Sequence, residues 1–163
     1  MVVMKRRFSV NPFMERAIQL SLENVRSGSG GPFAALIVRD GEVLANGSNK
    51  VTTTLDPTAH AEVVAIRAAC QAIGDFQLTG CELYTTCEPC PMCMGAIYWA
   101  RLAKVYYANT RGDAAQIGFD DSWIYDQLAL PIQARRVPMI QLMREQALEA
   151  FREWDRSQFK VRY

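Results

Sequence analysis

Histidine occurs once in these 163 residues, at His60, so any metal site must draw its imidazole from that position. Cysteine is scarce as well. Its five copies are an odd number, and three of them cluster at Cys87, Cys90 and Cys93, which argues against a disulfide framework and for a reducing compartment. Cys70 and Cys81 are most simply core residues. Charge of one sign is lacking too: Lys+Arg 18 against Asp+Glu 17 leaves a net +1, which implies no global pull toward phosphate backbones or nucleic acid. The small clusters Lys5-Arg6-Arg7 and Arg135-Arg136 read as solvated surface. Long apolar runs are missing. The stretch Gly95 to Ala100 ends at Arg101, too short to cross a bilayer, and Met1 to Arg7 lacks the apolar segment of a secretory leader. The expectation is a cytoplasmic chain with no membrane partner. Repeats and low-complexity tracts are also lacking, and the length suits one domain that buries about 70% of its unfolded surface.

Against these absences stand two short stretches, His60-Ala61-Glu62 and Cys87-Glu88-Pro89-Cys90-Pro91-Met92-Cys93. Thiolate sulfur and imidazole nitrogen suit Zn²⁺, a borderline-soft ion that accepts both in tetrahedral geometry. A helix starting near Pro91 would carry Cys90 and Cys93 at its positive end, where free backbone N–H groups favour the thiolate. With His60 as third ligand, two negative sulfurs and a neutral ring balance the ion and leave one coordination position open, as a catalytic zinc requires. Cys87 shares the spacing of the other two; we read it as a pocket or core residue, with ligand substitution as the alternative. Glu62, two residues beyond His60, does not share its helical face and is read as a general acid/base that moves protons beside the metal.

Periodicity places these stretches on an alternating α and β chain. Asn11-Pro12 starts a helix through Phe13, Ala17, Leu20 and Val25 that stops at the glycine-rich segment Ser27 to Gly31. Strands are expected at 33–39 and 42–49, joined as a hairpin by Asp40-Gly41, and at 81–86, 104–108 and 137–143. Pro57-Thr58 is expected to open a helix running to Gly74, with His60 and Glu62 in its first turns. Further helices are expected near 91–99, 123–130 and 145–156, with 52–56 and 109–122 as loops. The order strand, helix, strand around the cysteines implies a parallel pair with a right-handed crossover and a site at the strands' carboxyl ends.

Thr58-Ala59-His60-Ala61-Glu62, the cysteine stretch and Gly95-Ala96-Ile97-Tyr98-Trp99-Ala100-Arg101 resemble the cytidine-deaminase-like superfamily, whose mark is H-x-E followed by P-C-x-x-C. More narrowly, Gly30-Gly31-Pro32-Phe33, Asp56-Pro57-Thr58, and Ile117-Gly118-Phe119-Asp120-Asp121-Ser122 with the terminal Tyr163 resemble the bacterial guanine deaminases of that fold. The resemblance implies a three-layer α/β/α sandwich, here with a five-stranded mixed sheet, and one Zn²⁺ per subunit. It implies hydrolysis of guanine to xanthine and ammonia by a single domain, 1–163, working as a homodimer that exchanges its C-terminal helix and tail, about 145–163. It makes His60, Cys90 and Cys93 the metal ligands and Glu62 the proton shuttle. It makes Asp121 an acidic group at the amino side of the base, with catalytic and binding roles. Asn49, the Ala61 backbone, Phe33 and Trp99 are implied as substrate contacts, and Tyr163 as a lid from the partner chain. The chemistry is self-consistent, because guanine offers acceptors at its carbonyl oxygen and N7 and donors at N1 and the 2-amino group.

Taken alone, Asn49 could end a strand, Asp121 or Ser122 could cap a helix, and Phe33 and Trp99 could be core. Competing activities are a tRNA adenosine deaminase, against which the near-neutral charge and Asp121 count, and a guanosine or other aminated-heterocycle deaminase, for whose ribose a tail closed over the pocket would leave little space. A structural-zinc interaction domain is the alternative outside enzymes, and Glu62 argues against it.

Overall fold

A computed structural model describes residues 10–163. The Lys5-Arg6-Arg7 cluster and the leader question at Met1 to Arg7 lie outside the described residues. The elements follow in the order α1 Pro12–Arg26, β1 Ala34–Arg39, β2 Glu42–Ser48, α2 Val51–Thr54, α3 Ala61–Ile73, β3 Glu82–Cys87, α4 Pro91–Trp99, β4 Lys104–Asn109, α5 Arg111–Gln116, α6 Ser122–Ala129 and α7 Arg144–Arg156, with a 3-10 turn at Ile132–Ala134. Two compact units divide between Asp120 and Asp121.

The first unit is built on a four-stranded sheet ordered β2-β1-β3-β4, in which β1 runs antiparallel to β2 and β3, and β3 runs parallel to β4. The hairpin forms because Asp40 and Gly41 both take positive φ, 52° and 80°, which matches the twist of a tight two-residue turn. Alternation along the central strands assigns the two faces. Ala35, Ile37 and Leu83 join a core with Ala61, Ala65, Ile66, Ala69 and Ile97, while Leu36, Val38 and Tyr84 join a second core with Ala17. Helices thus cover both faces: α3 and α4 contribute to one core and α1 to the other, giving three layers. That is why Ala34 to Val38 reads as an unbroken apolar run, all of it buried.

Helix α1 starts as its sequence predicts, with the Asn11 carboxamide accepting from Phe13 N–H and Met14 N–H, both at 3.0 Å, and Pro12 at the first position. Its buried polar residues are unexpected. Ser21 and Asn24 face inward beside Ala17, whereas Val25, expected on the apolar side, is half exposed.

Four other expectations are corrected. Helix α3 begins at Ala61, not at Pro57: the Asp56 carboxylate accepts from both Thr58 N–H (2.8 Å) and the Thr58 hydroxyl (2.7 Å), folding 56–58 into a turn that leaves His60 as N-cap. Residues 111–116 are helical, since Thr110 and Asp113 form a reciprocal capping box at the head of α5, and Val51–Thr54 makes a single helical turn where a loop was expected. The fifth strand, 137–143, does not pair, and the sheet has four strands among the described residues. Pro138 brings no N–H to a ladder, and Met143 takes φ 50°, which ends the extended run.

In the second unit the Arg135 guanidinium donates to the carbonyls of Leu130 (3.2 Å) and Leu128 (3.3 Å), satisfying the open end of α6. Leu142, Phe151, Phe159 and Tyr163 stand exposed there. No helix among the described residues is long and apolar enough to cross a membrane.

Candidate active site

Two helix N-termini supply the chemistry. His60 is the N-cap of α3 and Cys90 the N-cap of α4, and Cys93 lies in the first turn of α4 just beyond Pro91. The His60 Nδ1 is 3.6 Å from the Cys90 sulfur and 3.5 Å from the Cys93 sulfur, and the two sulfurs are 3.6 Å apart. These three are the one group of His, Cys, Asp and Glu side chains among the described residues placed to hold a metal. The triangle tests the fit directly. Tetrahedral zinc with bonds of about 2.0–2.3 Å sets its ligand atoms roughly 3.3–3.8 Å apart, so all three edges have the right length for one ion. A disulfide would need the sulfurs at about 2.0 Å.

The electrostatics agree with a thiolate-rich site. The hydrogen bond with Cys93, then that with His60, holds Cys90 down at about 4 against the cost of burial. Cys93 is pushed far up by the same contact and by burial. His60 is raised, first by its hydrogen bond to Cys90. Glu62 is 6% exposed in the first turn of α3. Burial raises its carboxyl above the usual range, partly offset by a backbone N–H.

Asn49 follows β2 and is buried, with Asn49 N–H donating to the Phe33 carbonyl (3.0 Å). Its side-chain oxygen accepts from Val51 N–H (3.3 Å), so the amide NH₂ is the end left to meet a ligand acceptor. The adjacent Lys50 N–H donates to the Ala59 carbonyl (2.9 Å), fastening this stretch to the residue before His60. Gly47 allows the close approach: a Cβ there would strike the carbonyl oxygen of Ala61 and the backbone of Ala65, lifting α3 off β2. Ala61 itself is fully buried. Phe33 stands half-buried at the mouth of β1.

The structure therefore gathers His60, Cys90, Cys93, Ala61 and Glu62 at the head of two helices, with Asn49 tied to the same loop. Trp99 is 64% exposed at the far end of α4, about 13 Å of helix beyond Cys90. Asp121 opens the second unit as the residue before α6, and Tyr163 is exposed at the terminus. Cys87, the last residue of β3, points its sulfur toward the Thr110 carbonyl at 3.7 Å.

Sequence reasoning missed two supporting residues. The Asn24 amide donates to the carbonyls of Gly31 (2.9 Å) and Asn49 (3.0 Å), and the Ser21 hydroxyl donates to the Pro32 carbonyl (2.7 Å). Their signal was present in a weak form, as two polar residues in register with Phe13, Ala17 and Leu20 on the inward side of α1.

With this geometry, the chain belongs to the family of the cytidine and deoxycytidylate deaminase zinc-binding region, whose pattern matches residues 9–109. It is a zinc-dependent deaminase by that membership and by its His/Cys/Cys cluster. Within the family it is similar to guanine deaminase of Bacillus subtilis, at 54% identity over 87% of this chain and 91% of that one. The X-ray structure of guanine deaminase from the same organism superposes with a TM-score of 0.91, covering 94% of this chain and 99% of the other at 51% identity. A solved guanine deaminase from Nitrosomonas europaea matches with a TM-score of 0.64 at 33% identity, over 67% of this chain and 63% of its own. The tRNA-specific adenosine deaminase of Agrobacterium fabrum is 40% identical over 64% of this chain and 73% of that protein.

Proposed function

We propose that this chain hydrolyses guanine to xanthine and ammonia, with His60, Cys90 and Cys93 holding one zinc ion. The observation that carries the reading is the buried Asn49, whose amide NH₂ is turned to donate by the Val51 N–H on its oxygen and whose neighbour Lys50 ties the stretch to the residue before His60. An amide donor suits the carbonyl oxygen and N7 of guanine, whereas adenine offers a donor at the six position. Similarity to guanine deaminase across nearly the whole of both chains supports the same choice.

Zinc supplies the Lewis acid that makes water a nucleophile at neutral pH. Glu62 takes a proton from the attacking water, returns it to a ring nitrogen and delivers the second to the 2-amino group, which leaves as ammonia. Water and guanine thus balance xanthine and ammonia with no other reactant. Asp121 accepts from the amino side of the base and steadies it as the C–N bond breaks. Phe33 packs on the ring, and the Ala61 backbone completes the contacts.

The chain acts as one deaminase domain over 1–163, in the cytoplasm, as a homodimer. Residues from about 145 to 163 cross to the second copy, where Tyr163 closes the pocket. Exposure of Phe151, Phe159 and Tyr163 supports a surface that another chain covers. The tested substrates are guanine, guanosine, adenosine and cytosine, offered to the zinc-loaded protein in a spectrophotometric assay. Guanine alone should turn over, with xanthine formed. Turnover of another substrate while guanine is inert would overturn the substrate and keep the metal chemistry; four inert substrates would favour a structural-zinc domain.

A further inference from the structure

The ring of Phe33 is met by a second ring, Phe119, with centroids 4.9 Å apart and planes at 89°. This is the edge-to-face arrangement that aromatic quadrupoles favour. Gly31 leaves room for the pair: a Cβ there would lie 3.3 Å from Phe33 and 3.4 Å from Phe119.

Phe119 is held in place by its backbone although its side chain is 47% exposed. Helix α5 ends in a left-handed turn at Gly118, φ 93°. Gly118 N–H donates to the Ala115 carbonyl and Phe119 N–H to the Ala114 carbonyl, both at 3.0 Å. That pair of bonds is the closing motif of a helix that ends on glycine, and it fixes the direction in which the next residue leaves. The other end of α5 is fastened to the cysteine loop, where Arg111 N–H donates to the Glu88 carboxylate (3.1 Å) and Glu88 N–H donates to the Asn109 carbonyl (2.8 Å). A short rigid strut therefore runs from the loop that carries Cys90 to the ring that meets Phe33.

We propose that Phe119 is a positioning residue for substrate: it pins the plane of Phe33 so that the base meets an already ordered ring. The inference rests on the reading of Phe33 as the ring that packs on the purine. Phe33 is only half-buried against the core, and whatever ring motion binding must freeze costs affinity. Pinning beforehand removes that cost equally for bound substrate and transition state, so its loss appears in KM and leaves kcat unchanged.

The test is steady-state kinetics on zinc-loaded wild type, Phe119→Ala, Phe119→Leu, Phe119→Tyr, Phe33→Ala and the Phe33→Ala/Phe119→Ala double variant, with zinc content and melting temperature recorded for each. Phe119→Ala and Phe119→Leu should raise KM for guanine roughly three- to tenfold with kcat within about twofold. Phe119→Tyr, which keeps the ring, should restore wild-type KM. In the Phe33→Ala background the Phe119 change should add nothing. A wild-type KM in Phe119→Leu overturns the proposal, as does an equal effect with and without Phe33, or a leucine that rescues as well as tyrosine. An unchanged KM in Phe33→Ala instead overturns the pocket reading, and the inference with it. If another base is the substrate, the same comparison is made with that base, which keeps a wrong substrate distinct from a wrong role for Phe119.

Discussion

The side-chain amide of Asn24 donates to the backbone carbonyl of Asn49 across 3.0 Å, joining the last turn of α1 to the stretch after β2. The same amide reaches the Gly31 carbonyl, so one buried side chain ties together two segments that border the metal loop. Gly30 completes the junction, because a Cβ there would strike the carbonyl oxygen of Asn49. Replacing Asn24 by Leu removes both donors, so the Asn49 carbonyl loses this bond and the Gly31 carbonyl keeps the Phe33 N–H (2.8 Å). A loss of about 2–4 kcal/mol in unfolding free energy is expected. Urea denaturation of zinc-loaded protein measures it, and a change below about 0.5 kcal/mol would show that water replaces the amide without cost.

Glu62→Ala should keep zinc and fold, because Glu62 is not among the metal-holding atoms, yet turnover should fall by about 10²–10⁴ since the proton must move more than once in each cycle. Metal analysis paired with kcat checks this. Turnover near the wild-type value would remove Glu62 from the proton path.

Acid should loosen the metal loop through Asp56. Its bonds from Thr58 hold its carboxyl below the usual range. A depressed folded pKa gives stability that is present above the unfolded value of about 3.9 and is lost as pH falls through the folded one. Asp56→Asn should therefore narrow its stability difference from wild type as pH drops from about 5 to 3. Urea midpoints at matched pH read this out; a constant difference across the window would contradict it.

Deleting the residues after Trp154 should lower activity and shift the mass in light scattering from dimer to monomer. A fully active truncated monomer would contradict the proposed exchange and the lid at Tyr163.

Much of this site was legible in the sequence because its signals are local. The Asp40-Gly41 turn, the Asn11-Pro12 start and the Pro91 start each rest on one or two residues whose backbone preference admits few alternatives. The metal set was legible because a lone histidine and a tight cysteine spacing leave little choice. What failed depended on partners distant in the chain. Residues 137–143 form a mostly apolar run that reads as a strand, but a strand exists only where a neighbour pairs with it, and Pro138 disfavours that pairing. The role of Asn24 was not legible because its two acceptors arrive from elsewhere in the fold. The head of α3 was placed too early because Pro57 suits a helix start, while the Asp56 side chain captured Thr58 in a turn instead.

The central claim is that one imidazole and two sulfurs hold zinc with a corner left for water. X-ray absorption at the zinc edge of the loaded protein, measured for wild type and Cys87→Ser, tests it most directly. Two sulfur scatterers near 2.3 Å and two nitrogen or oxygen scatterers near 2.0 Å, about the values for such ligands, are predicted in both proteins. A third sulfur in wild type that is lost in Cys87→Ser would put Cys87 in the fourth corner and contradict the account.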